Sequence, residues 1–184
     1  MILALVAAAT TIGFPAPSHA DGMTVHDISG ARHTIPKAGK KATVLLFVAT
    51  DCPIANRMVP EINRIVKEYQ QKGVAFYFVY PDKRRTPEEV IRHRNEFGLR
   101  GAAVIDRRHD LVNLAKAIVT PQAAVLLPSG ELAYTGRINN LFSDHNKPLE
   151  KATRNELRDV LREVVAGKPV TVESVPAIGC TIIP

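Results

Sequence analysis

The sequence contains little cysteine and none of the common hydrolase or nucleotide-binding motifs. Its 184 residues include two cysteines, Cys52 and Cys180, which permit a single intramolecular disulfide. No Ser/His/Asp set, no glycine-rich loop that could cradle a phosphate, and no zinc-type spacing of ligands is present. Hydrolase, nucleotide-binding and zinc-binding functions therefore have no support in the sequence.

The sequence also lacks a nucleic-acid-binding pattern, although its formal net charge is +6. The basic residues include short, separate clusters within residues 37–41, 83–85 and 107–108. They form no single long stripe, and aromatic residues are not interleaved among them, as a nucleic-acid surface would require. We interpret these clusters as solvated loops at the ends of helices and strands, and we expect no nucleic-acid partner.

The first twenty residues carry no charged side chain and open with an apolar, alanine-rich run. The segment ends in Pro17-Ser18-His19-Ala20, with small residues at the two positions that a signal peptidase reads. We therefore predict a signal peptide at residues 1–20 and an exported protein, periplasmic or secreted. No basic residue precedes the run, so we expect the true start to lie upstream; a buried N-terminal helix is the alternative. The run is too short to span a membrane and no later stretch approaches that length, so we expect no integral membrane protein.

The rest of the chain alternates between predicted strands and helices. Its length suits one hydrophobic core, so we assign residues 21–167 to one domain and residues 168–184 to a C-terminal tail that carries Cys180. The predicted elements are a β-hairpin (24–36), a buried strand (42–49), a helix from Pro53 to Gly73, a strand (74–80), a helix (86–97), a strand (102–105), a helix (110–117), two antiparallel strands (123–127 and 132–138) and a helix opened by a capping box at 153–156 that ends at Gly167. This order predicts an α/β fold with a mixed central sheet flanked by helices.

Cys52 lies at the predicted turn from a buried strand into a helix. Unpaired backbone N–H groups and the helix dipole stabilise negative charge at such a position, so the thiol is biased toward the nucleophilic thiolate. Pro53 suits the first helical position because its missing N–H has no intrahelical partner there. We therefore predict a reactive Cys52; an inert buried cysteine is the alternative.

The motif Asp51-Cys52-Pro53 between a strand and a helix, followed later by Val119-Thr120-Pro121 before a hairpin, resembles the thioredoxin superfamily, specifically its redoxin (AhpC/TSA-like) branch. The resemblance covers residues 24–166. It implies a thioredoxin-like fold in which Pro121 is cis and faces the active cysteine, and in which Thr120 offers backbone hydrogen bonds to a bound thiol or peptide. A trans proline that merely opens a strand is the alternative.

Several positions differ from the pattern of better-known relatives. A dithiol thioredoxin has a second cysteine where this chain has Ala55, and Sco-type copper chaperones have one where it has Asn56. Peroxiredoxins have a threonine and a proline at the positions of Ala49 and Leu45. The resemblance therefore implies an oxidoreductase of the thiol-disulfide exchange type more than a peroxidase.

The apolar surroundings of Cys180 suggest a structured segment that folds back over Cys52. In the first hypothesis, Cys52 is the attacking thiolate and Cys180 the resolving or regulatory thiol of a reversible disulfide, with protein thiols and disulfides or a small thiol as partners. A permanent structural disulfide is the alternative, as expected in exported proteins. Asp51, Arg57 and Arg137 are candidates to tune the thiolate, although each is more often a plain surface charge.

Two other functions remain open. The chain could bind a soft metal, Cu(I), through Cys52, Cys180 and one histidine, with His145 or His109 as the candidate ligand. Alternatively, it could be a redox-inactive thioredoxin-like module that holds an extended peptide in the groove near Pro121.

Overall fold

The computed structural model describes residues 22–143 and 147–183, so the predicted signal peptide and His145 lie outside the described residues. The elements are β1 (Met23–His26), β2 (Arg32–Ile35), β3 (Ala42–Phe47), α1 (Pro53–Gln70), β4 (Val74–Tyr80), α2 (Pro87–Phe97), β5 (Ala102–Ile105), α3 (Asp110–Ala115), β6 (Val119–Thr120), β7 (Gln122–Leu126), β8 (Leu132–Gly136), α4 (Glu156–Val165) and β9 (Cys180–Thr181). No helix in this part of the chain is long and apolar enough to cross a membrane.

A five-stranded mixed sheet forms the centre of the fold, with strand order β5-β4-β3-β7-β8. The strands β3, β4 and β5 run parallel, and β7 pairs antiparallel with both β3 and β8. Every residue of β3 is buried, as its unbroken apolar run predicts for a strand covered on both faces. The predicted α/β fold with an N-terminal β-hairpin, formed by β1 and β2, is confirmed.

Two hydrophobic clusters cover the two faces of this sheet. On one face Val44 and Leu46 of β3 belong to a cluster that includes the apolar residues of α1 and α4. On the other face Leu45 and Phe47 belong to a cluster with apolar residues of α3 and with Ile35 of the hairpin. Successive side chains of a strand point to opposite faces, which explains the division. The end of β3 therefore emerges from a rigid core, and the residues that follow it are held in place.

Local capping signals predict one helix start correctly and fail at another. Thr86 and Glu89 form the expected capping box at α2, with hydrogen bonds of 2.8 and 3.3 Å in the two directions. The capping box predicted at 153–156 is wrong: α4 begins at Glu156, and Asn155 caps it without a side-chain hydrogen bond. The Thr153 hydroxyl instead accepts a hydrogen bond of 2.8 Å from the side chain of Asn140. A hydrogen bond to a residue distant in the sequence therefore replaces the expected capping hydrogen bond of Thr153.

The C-terminal tail lies against the domain rather than extending into solvent. Val175 accepts a hydrogen bond of 2.9 Å from the backbone N–H of Arg137, just beyond β8. Further along, β9 pairs antiparallel with β6, and Ile182 donates a backbone hydrogen bond of 2.9 Å to Ile118. This short two-stranded sheet has no counterpart among the predicted elements, and it carries Cys180 to the end of β3.

Candidate functional site

A disulfide joins Cys52 and Cys180, and it leaves neither of the two cysteines free. The two residues are 128 positions apart in the sequence, with their Cα atoms 5.9 Å apart. Pairing of Thr120 with Cys180 across β6 and β9 holds the tail at this distance. The two sulfurs thus meet where the first helix of the domain begins.

Cys52 caps the N-terminus of α1 and is 1% exposed. Its Sγ accepts a hydrogen bond of 3.4 Å from the backbone N–H of Ala55, and Pro53 occupies the first helical position. An N–H donor and the positive end of an 18-residue helix both favour negative charge on this sulfur once the disulfide is opened. The local chemistry thus suits a thiolate at Cys52.

The peptide bond between Thr120 and Pro121 is cis, and both residues are buried beside Cys52. The carbonyl oxygen of Thr120 lies 3.0 Å from Cys52 Sγ, so it can accept a hydrogen bond from the thiol of the reduced protein. Gly179 approaches the same peptide unit closely. A Cβ atom at that position would lie 2.1 Å from the Thr120 oxygen, so only glycine permits this contact.

Asp51 forms an ion pair with Arg85, a residue that sequence analysis did not single out. The distance from Asp51 Oδ2 to Arg85 Nη2 is 2.6 Å, and Arg85 also contacts Asp82 at 3.2 Å. A side-chain hydrogen bond from Arg84 holds the pKa of Asp82 below its ordinary value. These ion pairs therefore connect the loop after β3, which leads to Cys52, with the loop after β4.

The two other predicted tuning residues have different surroundings. Arg57 is exposed on α1. The guanidinium of Arg137 forms an ion pair with Glu156 at the start of α4. Arg137 also contributes to a small pocket with Pro121, beneath the tail. Its charge is therefore neutralised by a carboxylate of the domain.

A chain of hydrogen-bonded polar side chains, half-buried at Asn56 and buried at His93 and Tyr80, starts at the loop before Cys52. The amide nitrogen of Asn56 donates a hydrogen bond of 3.2 Å to the Thr50 carbonyl, and its amide oxygen accepts one of 2.9 Å from Nε2 of His93. Nδ1 of His93 then accepts from the Tyr80 hydroxyl at 2.9 Å. Burial lowers the pKa of His93, which favours the neutral imidazole whose Nδ1 accepts from Tyr80, and burial raises the pKa of Tyr80. The chain links α2 and β4 to the loop before Cys52.

A pocket of about 390 Å³ opens beside the disulfide. Its walls come from the loop after β3, residues 81–84 of the loop after β4, Thr120, and tail residues 180–183. Cys180 lines this pocket, whereas Cys52 does not. The pocket therefore opens onto one cysteine of the pair.

The structure gives no support to the copper hypothesis. Both candidate sulfurs are joined to each other, and His145 lies outside the described residues. Nε2 of His109 donates a hydrogen bond of 2.8 Å to the Pro81 carbonyl. Within residues 22–143 and 147–183, no group of three or more histidine, cysteine or acidic side chains could hold a metal ion.

The predicted site residues include neither Arg85 nor Gly179, nor the pair Asn56 and His93. A glycine directly before a cysteine was the available signal for Gly179, because close backbone approach is a common reason for glycine. No local pattern distinguishes Arg85 or His93 from other polar residues on helix α2 and the loop before it. Their roles arise from contacts across 34 and 37 positions of sequence.

Solved structures with the same fold cover most of the chain. An uncharacterised conserved protein from Geobacillus kaustophilus matches with a TM-score of 0.74 and 21% identity, over 93% of this chain and 97% of that one. A hypothetical protein from Sinorhizobium meliloti 1021 matches with a TM-score of 0.71 and 22% identity, over 89% and 91%. A secreted Mycobacterium tuberculosis disulfide oxidoreductase, homologous to E. coli DsbE, matches with a TM-score of 0.53 and 16% identity, over 79% and 96%.

These structures show that the chain has a thioredoxin-like fold, as the resemblance implied. No curated protein matches the chain. The model of the AhpC/TSA family matches residues 13–135, about two thirds of the sequence. The chain therefore belongs to the AhpC/TSA family.

Proposed function

We propose that this protein is an exported thiol-disulfide exchange protein whose redox centre is the pair Cys52 and Cys180. The observation that carries the proposal is the disulfide at the N-terminus of α1, beside the cis Pro121. A sulfur at a helix N-terminus exchanges readily because its thiolate is stabilised. The second cysteine comes from the tail, and it takes the place of the nearby cysteine that is absent at Ala55.

In the reduced protein, the Cys52 thiolate attacks one sulfur of a substrate disulfide. A bond forms between Cys52 Sγ and that sulfur, and the other substrate sulfur leaves as a thiolate. The Cys180 thiolate then attacks Cys52 Sγ, which forms the Cys52–Cys180 disulfide and releases the second substrate thiolate. Two electrons pass from the protein to the substrate, and an external thiol must return them.

The partners are protein disulfides and thiols, or a small thiol. The pocket beside Cys180 has a volume in the range of small-molecule sites, about 300–1,000 Å³. Thr120 lines this pocket. Pro121 follows it and is buried, and Pro53 is the exposed first residue of α1. Asp51, which is ion-paired with Arg85, adds a charged side chain to the wall of this pocket.

Export is supported by two observations. The first twenty residues have the uncharged, apolar character and the small-residue ending of a signal peptide. The Mycobacterium tuberculosis disulfide oxidoreductase with the same fold is described as secreted. Disulfides persist in oxidising compartments, which agrees with a disulfide at this site.

Thiol counting across a series of glutathione redox buffers tests this function. We expect the Cys52–Cys180 disulfide to open and close reversibly as the buffer potential changes. Cys52→Ser should abolish reduction of a substrate disulfide, and Cys180→Ser should accumulate a mixed disulfide on Cys52. A bond that stays closed at every buffer potential would instead identify a permanent structural disulfide and end the proposal.

A further inference from the structure

The two sulfurs of the disulfide differ in accessibility. Cys52 is 1% exposed and belongs to the main hydrophobic cluster, against which Ile178 of the tail also packs. Cys180 is partly exposed and lines the pocket of about 390 Å³. Ile183, on the wall of that pocket, is 75% exposed, so the pocket is open to solvent on the tail side. The pocket therefore opens onto Cys180, whereas Cys52 is shielded from solvent.

The two sulfurs also differ as leaving groups. Cys52 Sγ has the Ala55 N–H as a donor and the N-terminus of α1 behind it. Cys180 lies in the two-residue strand β9, which provides no helix dipole. In thiol-disulfide exchange the sulfur with the more stable thiolate leaves faster. Leaving-group chemistry therefore favours expulsion of Cys52, independently of the difference in accessibility.

We propose that reducing thiols enter through Cys180 and not through the helix-terminal Cys52. The inference rests on the proposed exchange function and assigns the entry point of its reductive half. An external thiolate forms a bond to Cys180 Sγ, the Cys52–Cys180 bond breaks, and the electron pair remains on Cys52 Sγ. A second external thiolate attacks the first external sulfur and releases Cys180 as a thiolate together with the oxidised external disulfide.

When the substrate disulfide and the reducing thiol come from different molecules, this assignment gives the two halves of the cycle different covalent intermediates. Oxidation by a substrate disulfide proceeds through a mixed disulfide on Cys52, at the buried end of the site. Reduction proceeds through a mixed disulfide on Cys180, on the tail. The tail is then held by the pairing of β6 with β9 and by the hydrogen bond between Arg137 and Val175, without a covalent tether to α1.

Rapid quenching of the oxidised full chain with glutathione tests the entry point. The reaction is stopped with acid within milliseconds, free thiols are alkylated at low pH, and tryptic peptides are identified by mass spectrometry. Cys52 falls in peptide 42–57 and Cys180 in peptide 163–184, because trypsin does not cleave between Lys168 and Pro169. We expect glutathione on Cys180 and the alkyl group on Cys52 in the first mixed disulfide formed.

The same reaction in concentrated denaturant is the matched control. Unfolding removes both the shielding and the helix terminus, so glutathione should then divide between the two cysteines. Early glutathione on Cys52 in the folded protein, or an equal division there, would overturn the inference but leave the exchange function intact. A folded protein whose disulfide glutathione never opens would overturn the exchange function, and with it this assignment.

Discussion

The imidazole of His93 donates a hydrogen bond of 2.9 Å to the side-chain oxygen of Asn56, although the two residues lie on different helices. The other end of the Asn56 amide donates to the Thr50 carbonyl. Because the amide nitrogen must face a carbonyl, its oxygen must face His93, and Nε2 of His93 must carry the proton that it donates. A buried histidine thus supports the backbone two residues before Cys52.

His93 should make the fold sensitive to mild acid. Burial lowers the pKa of His93 in the folded protein below that of the unfolded chain. Its stabilising contribution is therefore present above about pH 6.5, the ordinary value, and is lost as the pH falls below it. We expect the free energy of unfolding to fall over this range, and His93→Gln to remove that component in denaturant titrations at several pH values.

His26→Gln is the control for this measurement, because His26 is exposed on β1. It should keep the pH dependence of the unmodified protein. If His93→Gln and the unmodified protein lose stability in parallel between neutral pH and pH 5, the hydrogen-bonded chain through Asn56 is not the source of the effect.

Asp27 should contribute stability that disappears only in strong acid. Burial opposes its ionisation, but hydrogen bonds from Ser29, His33 and Ala31 outweigh it and lower the pKa of Asp27 to about 2. The contribution is full above its ordinary pKa of 3.8 and is lost as the pH falls toward 2. With each pKa unit equivalent to about 1.4 kcal/mol, Asp27→Asn should lower the free energy of unfolding at pH 7 by at most about 2.5 kcal/mol.

Denaturant titrations between pH 2 and 7 check this value. Glu131→Gln, in the exposed turn between β7 and β8, should leave the acid dependence unchanged. An Asp27→Asn protein with the stability of the unmodified chain at pH 7 would show that these hydrogen bonds contribute nothing to the hairpin.

The disulfide should stabilise the whole domain. It links residues 128 positions apart, and closing so long a loop in the unfolded chain corresponds to a stabilisation of about 5 kcal/mol on the chain-entropy model. We expect Cys180→Ser to lower the free energy of unfolding by up to that amount. Reductant should lower the stability of the unmodified protein to a similar value and leave the variant unaffected; a variant that still responds to reductant would contradict this account.

Gly179→Ala should make the disulfide easier to reduce. The added Cβ would meet the Thr120 carbonyl oxygen at 2.1 Å, so β9 must move away from β6. Overpacking of this kind costs about 1–3 kcal/mol. In the reduced variant no covalent tether holds β9 against β6, so the strain can relax there, and the reduction potential rises by about 20–60 mV, which a glutathione titration measures.

Glu173→Ala provides the matched tail substitution, because Glu173 is exposed. Its reduction potential should equal that of the unmodified protein. An unchanged potential in Gly179→Ala would mean that the tail keeps its position without the close contact between Gly179 and Thr120.

Much of the fold follows from local sequence patterns. The unbroken apolar run of β3, the helical spacing after Pro53 and the turn signals around the hairpins act within a few residues, so each element can be recognised alone. The position of Cys52 at a helix N-terminus follows from the same rules. The sequence by itself therefore determined the fold class and the residue on which the proposed chemistry depends.

Only the tertiary structure decided which groups contact Cys52. Its pairing with Cys180, the strand pair β6 and β9, and the chain from Asn56 to His93 depend on contacts between distant segments, which no local pattern encodes. The failed capping box at Thr153 has the same cause, since Asn140 offered a partner that competes with the helix. Burial is likewise a property of the assembled chain, and it leaves Cys180 as the more accessible cysteine of the pair.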